Sequence, residues 1–275
     1  MTMSAFCCTR GELALKKRFE DAYAKTTDPI MKKIERQVCG SDYGGNSWTT
    51  REQADELVSV LRLGSATRLI DLGSGTGWPG LYLAKQSNCS VCLVDLPENG
   101  LQIAKMRAAE EGLSKRAEFH VADAADLPFS DEEFDAVCHS DLLCCLVRKR
   151  GVLENCRRVI RKGGTMAFTV ISLAPGLSAN SYERALANAP EFVEADTSYS
   201  ILLEETGWHQ AELFDLTQAY RDSCSRQISA DEEFQDGLTA ILGRQQAAER
   251  LENWRSKLRA IDDGLFRREL FVCTA

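Results

Sequence analysis

One glycine-rich segment, residues 69–80, limits what this chain can fold into more than any other. It opens with the apolar run Leu69, Ile70 and Leu72, which has the length and character of a buried parallel strand. Three glycines follow at alternate positions, and glycine tolerates positive φ and lets a ligand approach the bare main chain: Gly73, Gly75 and Gly77. Pro79 then stands where the first turn of a helix accepts proline. A strand, a glycine loop and a helix N-terminus in this order predict a pocket for a nucleotide or another anion.

A dinucleotide-binding site is the obvious alternative, and the glycine spacing argues against it. The dinucleotide fingerprint is G-x-G-x-x-G, whereas this loop reads G-x-G-x-G and carries Trp78 where the third glycine would stand. An indole in that place cannot permit the close helix–strand packing that the glycine allows. With Asp71 just before the loop, the segment resembles motif I of the class I S-adenosylmethionine-dependent methyltransferases.

A second apolar run, residues 90–95, ends in Asp95. A carboxylate at the end of the second strand can accept hydrogen bonds from both ribose hydroxyls of a nucleoside. A third predicted strand, residues 117–122, precedes Asp123 and Ala124. The resemblance implies that the acidic residue here binds the adenine amino group and that the next backbone N–H faces the ring.

A fourth predicted strand, residues 134–139, ends in Ser140 and Asp141, where the family's active-site mouth lies. Each acidic residue taken alone could instead cap a helix or stabilise a turn. Four landmarks in register, separated by helix-sized gaps, favour the methyltransferase resemblance.

The resemblance covers residues 43–172 and, more loosely, the rest of the chain, and it is closest to the small-molecule branch that includes ubiquinone/menaquinone-type methyltransferases. It implies a Rossmann-like α/β fold, with a seven-stranded, mostly parallel sheet, an antiparallel last strand and helices on both faces. It also implies S-adenosylmethionine as methyl donor, S-adenosylhomocysteine as product and a small molecule as methyl acceptor. The donor-binding residues expected on this basis are Tyr43, Trp48, Asp71, Gly73, Ser74, Gly75, Gly77, Trp78, Pro79, Asp95, Leu96, Asp123, Ala124 and Ser140.

The chain is expected to form one domain, because its length and hydrophobic content suffice for one ample core. Helices are predicted over 11–38, broken near 26–29, and from a Thr50/Gln53 or Thr49/Glu52 capping box to about Arg62. Two segments are predicted to close over the donor site as a lid, the N-terminal helices with the 43–50 connector and the insertion after the fifth strand. The expected segments are the N-terminal helices (1–62), the donor-binding core (63–172), the insertion (173–207) and the C-terminal strands and helices (208–275).

Composition excludes several classes of protein. The formal net charge of −8 argues against a nucleic-acid substrate, since such proteins usually carry a basic face. The sequence has no apolar run of transmembrane length, and we expect a cytoplasmic protein with no membrane partner. Eleven cysteines, mostly within predicted strands and helices, fit reduced thiols, and three histidines in all make a metal site improbable.

Methyl transfer from a sulfonium needs alignment and water exclusion more than acid–base help, so the acceptor side is harder to predict. His139 is the best-placed candidate base, and its alternative is a packed ring whose nitrogens bond the backbone. Asp141 either caps a predicted helix over 142–146 or binds an amine acceptor. Three tyrosines either line the acceptor pocket or pack in the core: Tyr182, Tyr199 and Tyr220.

Two other functions remain open from the sequence. The chain could methylate protein or RNA, or it could be a non-catalytic adenosylmethionine-binding scaffold. The adjacent pair Cys144 and Cys145 also suggests a thiophilic acceptor, as in arsenite methyltransferases. That family places a cysteine just after the glycine loop, where this chain has Trp78, Pro79 and Gly80, so arsenic chemistry is disfavoured.

Overall fold

The computed structural model describes residues 9–43 and 47–275, and its centre is a seven-stranded sheet. In chain order the strands are β1 (Arg68–Leu72), β2 (Ser90–Asp95), β3 (Ala117–Val121), β4 (Phe134–Ser140), β5 (Ile160–Leu173), β6 (His209–Asp215) and β7 (Phe266–Thr274). They lie in the order β3-β2-β1-β4-β5-β7-β6. The pairs from β3 to β5 are parallel, and β7 is antiparallel to both of its neighbours. The predicted sheet, with its antiparallel last strand, is confirmed.

Helices cover both faces of this sheet. They are α1 (Arg10–Tyr23), α2 (Pro29–Cys39), α3 (Arg51–Val60), α4 (Gly80–Ser87), α5 (Glu98–Glu110), α6 (Lys149–Val159), α7 (Ala179–Leu186), α8 (Tyr199–Glu205), α9 (Thr217–Glu233), α10 (Gln235–Leu242) and α11 (Arg244–Asp262). Apolar side chains of α3, α4 and α5 pack on one face of the sheet. Those of α6, α7, α8, α9 and α11 pack on the other face.

Local signals in the sequence explain where the N-terminal helices begin. The side chain of Asp28 accepts a hydrogen bond from the Ile30 N–H at 2.7 Å and starts α2, with Pro29 as its first residue. Thr50 and Gln53 form the capping box that starts α3. A small apolar cluster joins α2 to α9 and α10 rather than to the sheet.

The prediction of a helix over residues 142–146 is wrong. Only a short 3₁₀ turn, Leu143–Cys145, forms there, and the chain is extended again at Leu146. Asp141 has a φ of +53° and gives no side-chain hydrogen bond to this turn, so it is not a helix cap. The backbone N–H of Asp141 instead bonds the Thr169 carbonyl at 2.9 Å, which ties the turn to β5.

None of the helices in the described ranges is both long enough and apolar enough to cross a bilayer.

Candidate functional site

A cleft opens at the carboxyl ends of β1, β2 and β4, where parallel sheets place their ligand sites. We call it the donor cleft. It has an inner part of about 80 Å³ and an outer part of about 150 Å³. The two parts share five lining residues, Phe19, Gly73, Asp95, Leu142 and Cys145. The sequence-predicted residues that line the cleft are Trp48, Gly73, Ser74, Gly75, Trp78, Asp95, Leu96, Asp123, Ala124 and Ser140.

The glycine loop forms the floor of the outer part. Gly75 has a φ of +51°, and its N–H donates to Asp95 Oδ2 at 2.6 Å. A Cβ atom on Gly75 would lie 2.8 Å from the hydroxyl oxygen of Tyr23, a buried residue of α1. The loop therefore needs glycine here to make room for α1 as well as for a ligand. Thr76 adds a buried hydroxyl with no hydrogen-bond partner among the described residues.

Asp95 stands where the two parts of the cleft meet. Its Oδ1 accepts the Leu96 N–H at 2.8 Å, and its Oδ2 is the acceptor for Gly75. Burial raises the pKa of the Asp95 carboxyl to about 6, and these two backbone hydrogen bonds oppose that rise. A carboxylate fixed by main-chain donors still has free lone pairs, so it can accept hydrogen bonds from ligand hydroxyls.

At the inner end of the cleft, Asp123 faces an apolar wall. Its Oδ1 accepts the Ala125 N–H at 2.8 Å, and its Oδ2 pairs with the Arg148 guanidinium. Leu15 of α1 and Leu142 line this end. An apolar slot with the Asp123 carboxylate at its edge is suited to an aromatic ring with an exocyclic amino group.

Four of the predicted donor-binding residues do not line the cleft, which corrects their expected role. Asp71 turns toward α4, where its carboxylate accepts the Gly80 N–H at 3.0 Å and the Cys138 thiol at 3.4 Å. Burial raises the pKa of Asp71 to about 7. Gly77 and Pro79 belong to the turn that leads into α4. Tyr43 packs on Trp78, with 5.3 Å between ring centroids. These residues hold the loop in shape and are not placed to contact a ligand.

His139 is not placed to act as a base. Its ring is 1% exposed and stacks on Phe168 with 4.6 Å between centroids, and it is not part of the cleft lining. Neither ring nitrogen has a hydrogen-bond partner within the described residues, so the expected backbone bonds are also absent there. Burial lowers the pKa of His139 to about 3, and the ring stays neutral. His120 and His209 lie on β3 and β6, so no histidine of the chain lines the described cleft.

Asp141 lines the cleft at the end of β4, and its carboxylate is held by Arg268 of β7. Arg268 is fully buried, and its Nη2 lies 3.0 Å from Asp141 Oδ2. The same guanidinium donates to Thr49 and Thr169, each at a distance between 3.1 and 3.2 Å, and to Gln53. We call these five residues the Arg268 network. This network was not predicted from the sequence, although an arginine at an inward position of an apolar strand is a signal for it.

The three predicted pocket tyrosines lie outside the cleft lining. Tyr182 is partly exposed and bonds Glu194, and Tyr199 packs against the stacked rings of Phe168 and Phe271 in the core. Tyr220 is buried and contacts Trp48 edge-on, with 5.1 Å between ring centroids. Tyr220 thus supports a cleft residue from behind, whereas the other two contribute to packing.

The segments predicted to form a lid contribute to the cleft lining through α1 and one short piece of the insertion, and their closure over the donor stays a prediction. Phe19 and Tyr23 of α1 line the cleft, and Pro190 lines it from the insertion. The two segments touch each other, since Arg18 pairs with Glu191 at 3.4 Å. Of the predicted 43–50 connector, residues 44–46 lie outside the described part of the chain, and Trp48 reaches the cleft edge.

A larger space, of about 440 Å³, adjoins the donor cleft and was not anticipated from the sequence. We call it the helical cavity, because α1, α2, α9 and α11 supply most of its walls. It shares Phe19, Ser47 and Trp48 with the outer part of the donor cleft. Its other lining residues include Lys25, Met31, Ile34, Glu35, Val38, Gln227, Leu242, Arg250, Trp254 and Lys257.

One group of side chains could superficially suggest a metal site. Cys92, Glu118 and His120 place possible ligand atoms within 4.8 Å of one another. Glu118 is already paired with Arg68 at 3.0 Å, and burial raises the pKa of Cys92 to about 12. A protonated thiol beside a neutralised carboxylate is a poor ligand set.

Comparison with known proteins agrees with this architecture. The family model described as methyltransferase domain matches residues 70–168. The chain is 30% identical over 207 residues to 27-O-demethylrifamycin SV methyltransferase of Amycolatopsis mediterranei, with 74% of this chain and 73% of that protein covered. It is 26% identical over 207 residues to methyltransferase GfsG of Streptomyces halstedii, with 73% and 72% covered.

Among solved structures, phosphoethanolamine N-methyltransferase 2 of Haemonchus contortus superposes with a TM-score of 0.76 at 19% identity. The match covers 93% of this chain and 60% of that longer one, and it shows a common fold. These relatives do not single out the ubiquinone/menaquinone-type branch. With the strand order and the cleft at the carboxyl ends of the strands, they identify the family: the chain belongs to the class I S-adenosylmethionine-dependent methyltransferases.

Proposed function

We propose that this enzyme transfers the methyl group of S-adenosylmethionine to a small molecule held in the helical cavity. The observation that carries the proposal is the continuity of the two spaces, which share Phe19, Ser47 and Trp48. A donor in the cleft and an acceptor in the cavity would then face each other across this boundary. In-line displacement requires such a facing arrangement and little else from the protein.

The donor cleft fits S-adenosylmethionine in its polar pattern. Asp95 would accept the ribose hydroxyls, and Asp123 with the Ala124 backbone would meet the adenine edge. The unpartnered Thr76 hydroxyl and the backbone of Ser74 would face the amino-acid portion. When bound, the donor supplies an activated sulfonium methyl group. The residues around it align that group and exclude water.

The proposed mechanism does not use the candidate base His139 that the sequence suggested. His139 is buried away from the cleft, and the Asp141 carboxylate is held by Arg268. We propose that Asp141 positions Ser140 and Leu142 at the cleft wall and that the acceptor reacts without a histidine base. The electrophile is already activated, so an acceptor atom that arrives deprotonated needs no base.

A small acceptor is favoured over a macromolecule. The relatives named above include a rifamycin methyltransferase, and the helical cavity has the volume of a small-ligand site. The net charge of −8 disfavours nucleic acid. All nine described cysteines are unpaired, which supports the cytoplasmic setting that we propose. A protein or RNA substrate, and a non-catalytic scaffold, are the competing functions.

The test separates these three functions. Calorimetric titration with S-adenosylhomocysteine should show binding, and an assay for S-adenosylhomocysteine formation should respond to small-metabolite fractions of a cell extract. Turnover only with the protein or RNA fractions of that extract would overturn the small-molecule proposal. Donor binding without turnover on any fraction would favour the scaffold. An Asp95→Ala variant, which lacks the expected ribose contact, serves as the matched control for donor-dependent turnover.

A further inference from the structure

We propose that the acceptor is an amphipathic anion, with a carboxylate or phosphate group on an apolar body, and that Lys257 and Lys25 bind its anionic group in the helical cavity. This inference rests on the proposed function, since it specifies the acceptor for the same site. It comes from the charges and the shape of the cavity wall.

The cavity wall carries more positive than negative charge. Four basic residues line it, Arg18, Lys25, Arg250 and Lys257, against the single carboxylate of Glu35. Two of the four already have acidic partners outside the lining: Arg250 pairs with Asp231 at 2.6 Å and Arg18 with Glu191 at 3.4 Å.

The two lysines differ from the arginines. In residues 9–43 and 47–275, neither Lys25 nor Lys257 forms an ion pair or a side-chain hydrogen bond. Glu35 is engaged elsewhere, because its Oε1 accepts both the Ser41 hydroxyl at 2.7 Å and the Tyr43 N–H at 3.0 Å. The lining therefore keeps two ammonium groups without an ion-pair partner among the described residues against one carboxylate, and this excess of positive charge favours an anionic ligand.

Burial strengthens this argument for Lys257. Desolvation lowers the pKa of its ammonium group, so burial disfavours the charged form unless an anion lies beside it. The ammonium group lies 5.8 Å from the ring centroid of Trp254, and Arg250 lies 5.7 Å from the same centroid. The indole N–H of Trp254 is a buried donor with no partner among the described residues. A ligand anion would give this corner of the cavity the acceptors that it lacks.

The remaining wall requires an apolar body on the ligand. Aliphatic side chains of α2 and α10 line it, together with the rings of Phe19, Trp48 and Trp254. Trp48 and Trp254 meet edge-on with 5.2 Å between ring centroids, so they form one aromatic surface that runs from Lys257 to the donor cleft. An anion at Lys257 would thus leave its apolar body pointing along this surface toward the methyl donor.

The test uses two dyes of nearly equal shape, anilinonaphthalene sulfonate, which is an anion, and phenylnaphthylamine, which is neutral. Both are titrated into the full chain saturated with S-adenosylhomocysteine, and energy transfer from the four tryptophans of the chain reports binding. We expect the anion to bind about tenfold more tightly than the neutral dye, as a charge-assisted contact implies. Lys257→Met should remove most of that preference and change the affinity for the neutral dye less than about twofold.

Lys115→Met is the matched control, because Lys115 is exposed and precedes β3, outside the cavity lining. Lys25→Met, on a different segment, is the second test variant. Calorimetry with S-adenosylhomocysteine confirms that each variant folds, and loss of donor binding in the unmodified chain would count against the proposed function instead. Displacement of the bound dye by phenyl phosphate or by benzoate distinguishes the two kinds of anion.

Two results would overturn the inference. One is equal affinity of the unmodified chain for the charged and the neutral dye. The other is an undiminished preference for the anion in both lysine variants while they still bind S-adenosylhomocysteine.

Discussion

Asp95 is the residue on which the donor cleft depends most directly. It touches both parts of the cleft and is fixed by two backbone N–H groups, so its remaining lone pairs have a defined direction. Its pKa of about 6 places the change between charged and neutral carboxyl near physiological pH. Donor binding should therefore depend on pH through this one group.

The expected pH dependence has a definite sign. Above about pH 6 the carboxyl is ionised and accepts hydroxyl hydrogen bonds strongly, so affinity for S-adenosylhomocysteine should fall as the pH drops from 7.5 to 5. Asp95→Asn should bind roughly tenfold to a hundredfold more weakly at pH 7.5 and lose this dependence. Calorimetry across the pH range measures both. Asp71→Asn removes the other buried carboxyl of the loop, and its affinity for S-adenosylhomocysteine should still fall as the pH drops. An affinity that does not change with pH in that variant would assign the titration to Asp71.

Cys145 offers a second residue-scale prediction. It is the one described cysteine that is not buried, and it lines both parts of the cleft. A hydrogen bond from Cys144 lowers the pKa of its thiol, which favours the reactive thiolate. Iodoacetamide should therefore modify Cys145 before the other described cysteines, and saturating S-adenosylhomocysteine should slow that modification. Peptide mapping by mass spectrometry gives the site, and Cys145→Ser is the control; equal rates with and without the nucleoside would place Cys145 outside the donor site.

Local sequence patterns predict which residues at strand ends line the cleft. They do not predict residues whose role depends on a partner far along the chain. Asp95, Asp123 and Ser140 follow predicted strands, and all three line the cleft. His139 also ends a predicted strand, but its buried ring stacks on Phe168 instead of lining the cleft. The partner of Asp141 is 127 positions away on the last strand, so no local signal joins the two.

At the scale of elements, the two N-terminal helices have different attachments. Helix α1 covers the donor cleft with Phe19 and Tyr23. The side-chain amide of Asn99 in α5 donates to the Glu20 carbonyl of α1 and ties the two helices together. Helix α2 packs on α9 and α10 and walls the helical cavity. The sequence predicts helices over 11–38 and the break near 26–29, but it contains nothing about which surface each helix covers. That depends on contacts made far along the chain.

The roof role of α1 predicts a response to ligand. Hydrogen exchange of the amides in Arg10–Tyr23 should slow when S-adenosylhomocysteine is added, because the bound nucleoside would rest against this helix. Tyr23→Ala should weaken donor binding about tenfold by opening the roof over Gly75. Leu13→Ala, at an exposed position of the same helix, is the control. Exchange in α1 that is unaffected by a nucleoside shown to bind would exclude the lid.

At the scale of the whole molecule, the Arg268 network joins elements that the chain order keeps far apart. Arg268 on β7 connects the loop after β4, the middle of β5, and Thr49 and Gln53 at the start of α3. Thr49 extends the network, since its hydroxyl bonds Ser140 at 3.0 Å and its carbonyl accepts the Trp78 indole N–H at 2.9 Å. The last strand thus fixes the cleft wall that the first half of the chain supplies.

Removing the arginine should therefore cost stability and donor affinity together. Arg268→Met leaves the Asp141 carboxylate without its counter-charge in a mostly buried place, and such a loss typically destabilises by about 3–5 kcal/mol. Urea unfolding measures this, and Arg267→Met, an exposed neighbour on the same strand, should change stability by less than about 0.5 kcal/mol. Arg268→Met with Asp141→Asn should be less destabilised than Arg268→Met alone, because no buried charge is then left unpaired. A double variant as unstable as the sum of its single variants would mean that the two residues stabilise the fold independently, and that the ion pair does not position the cleft wall.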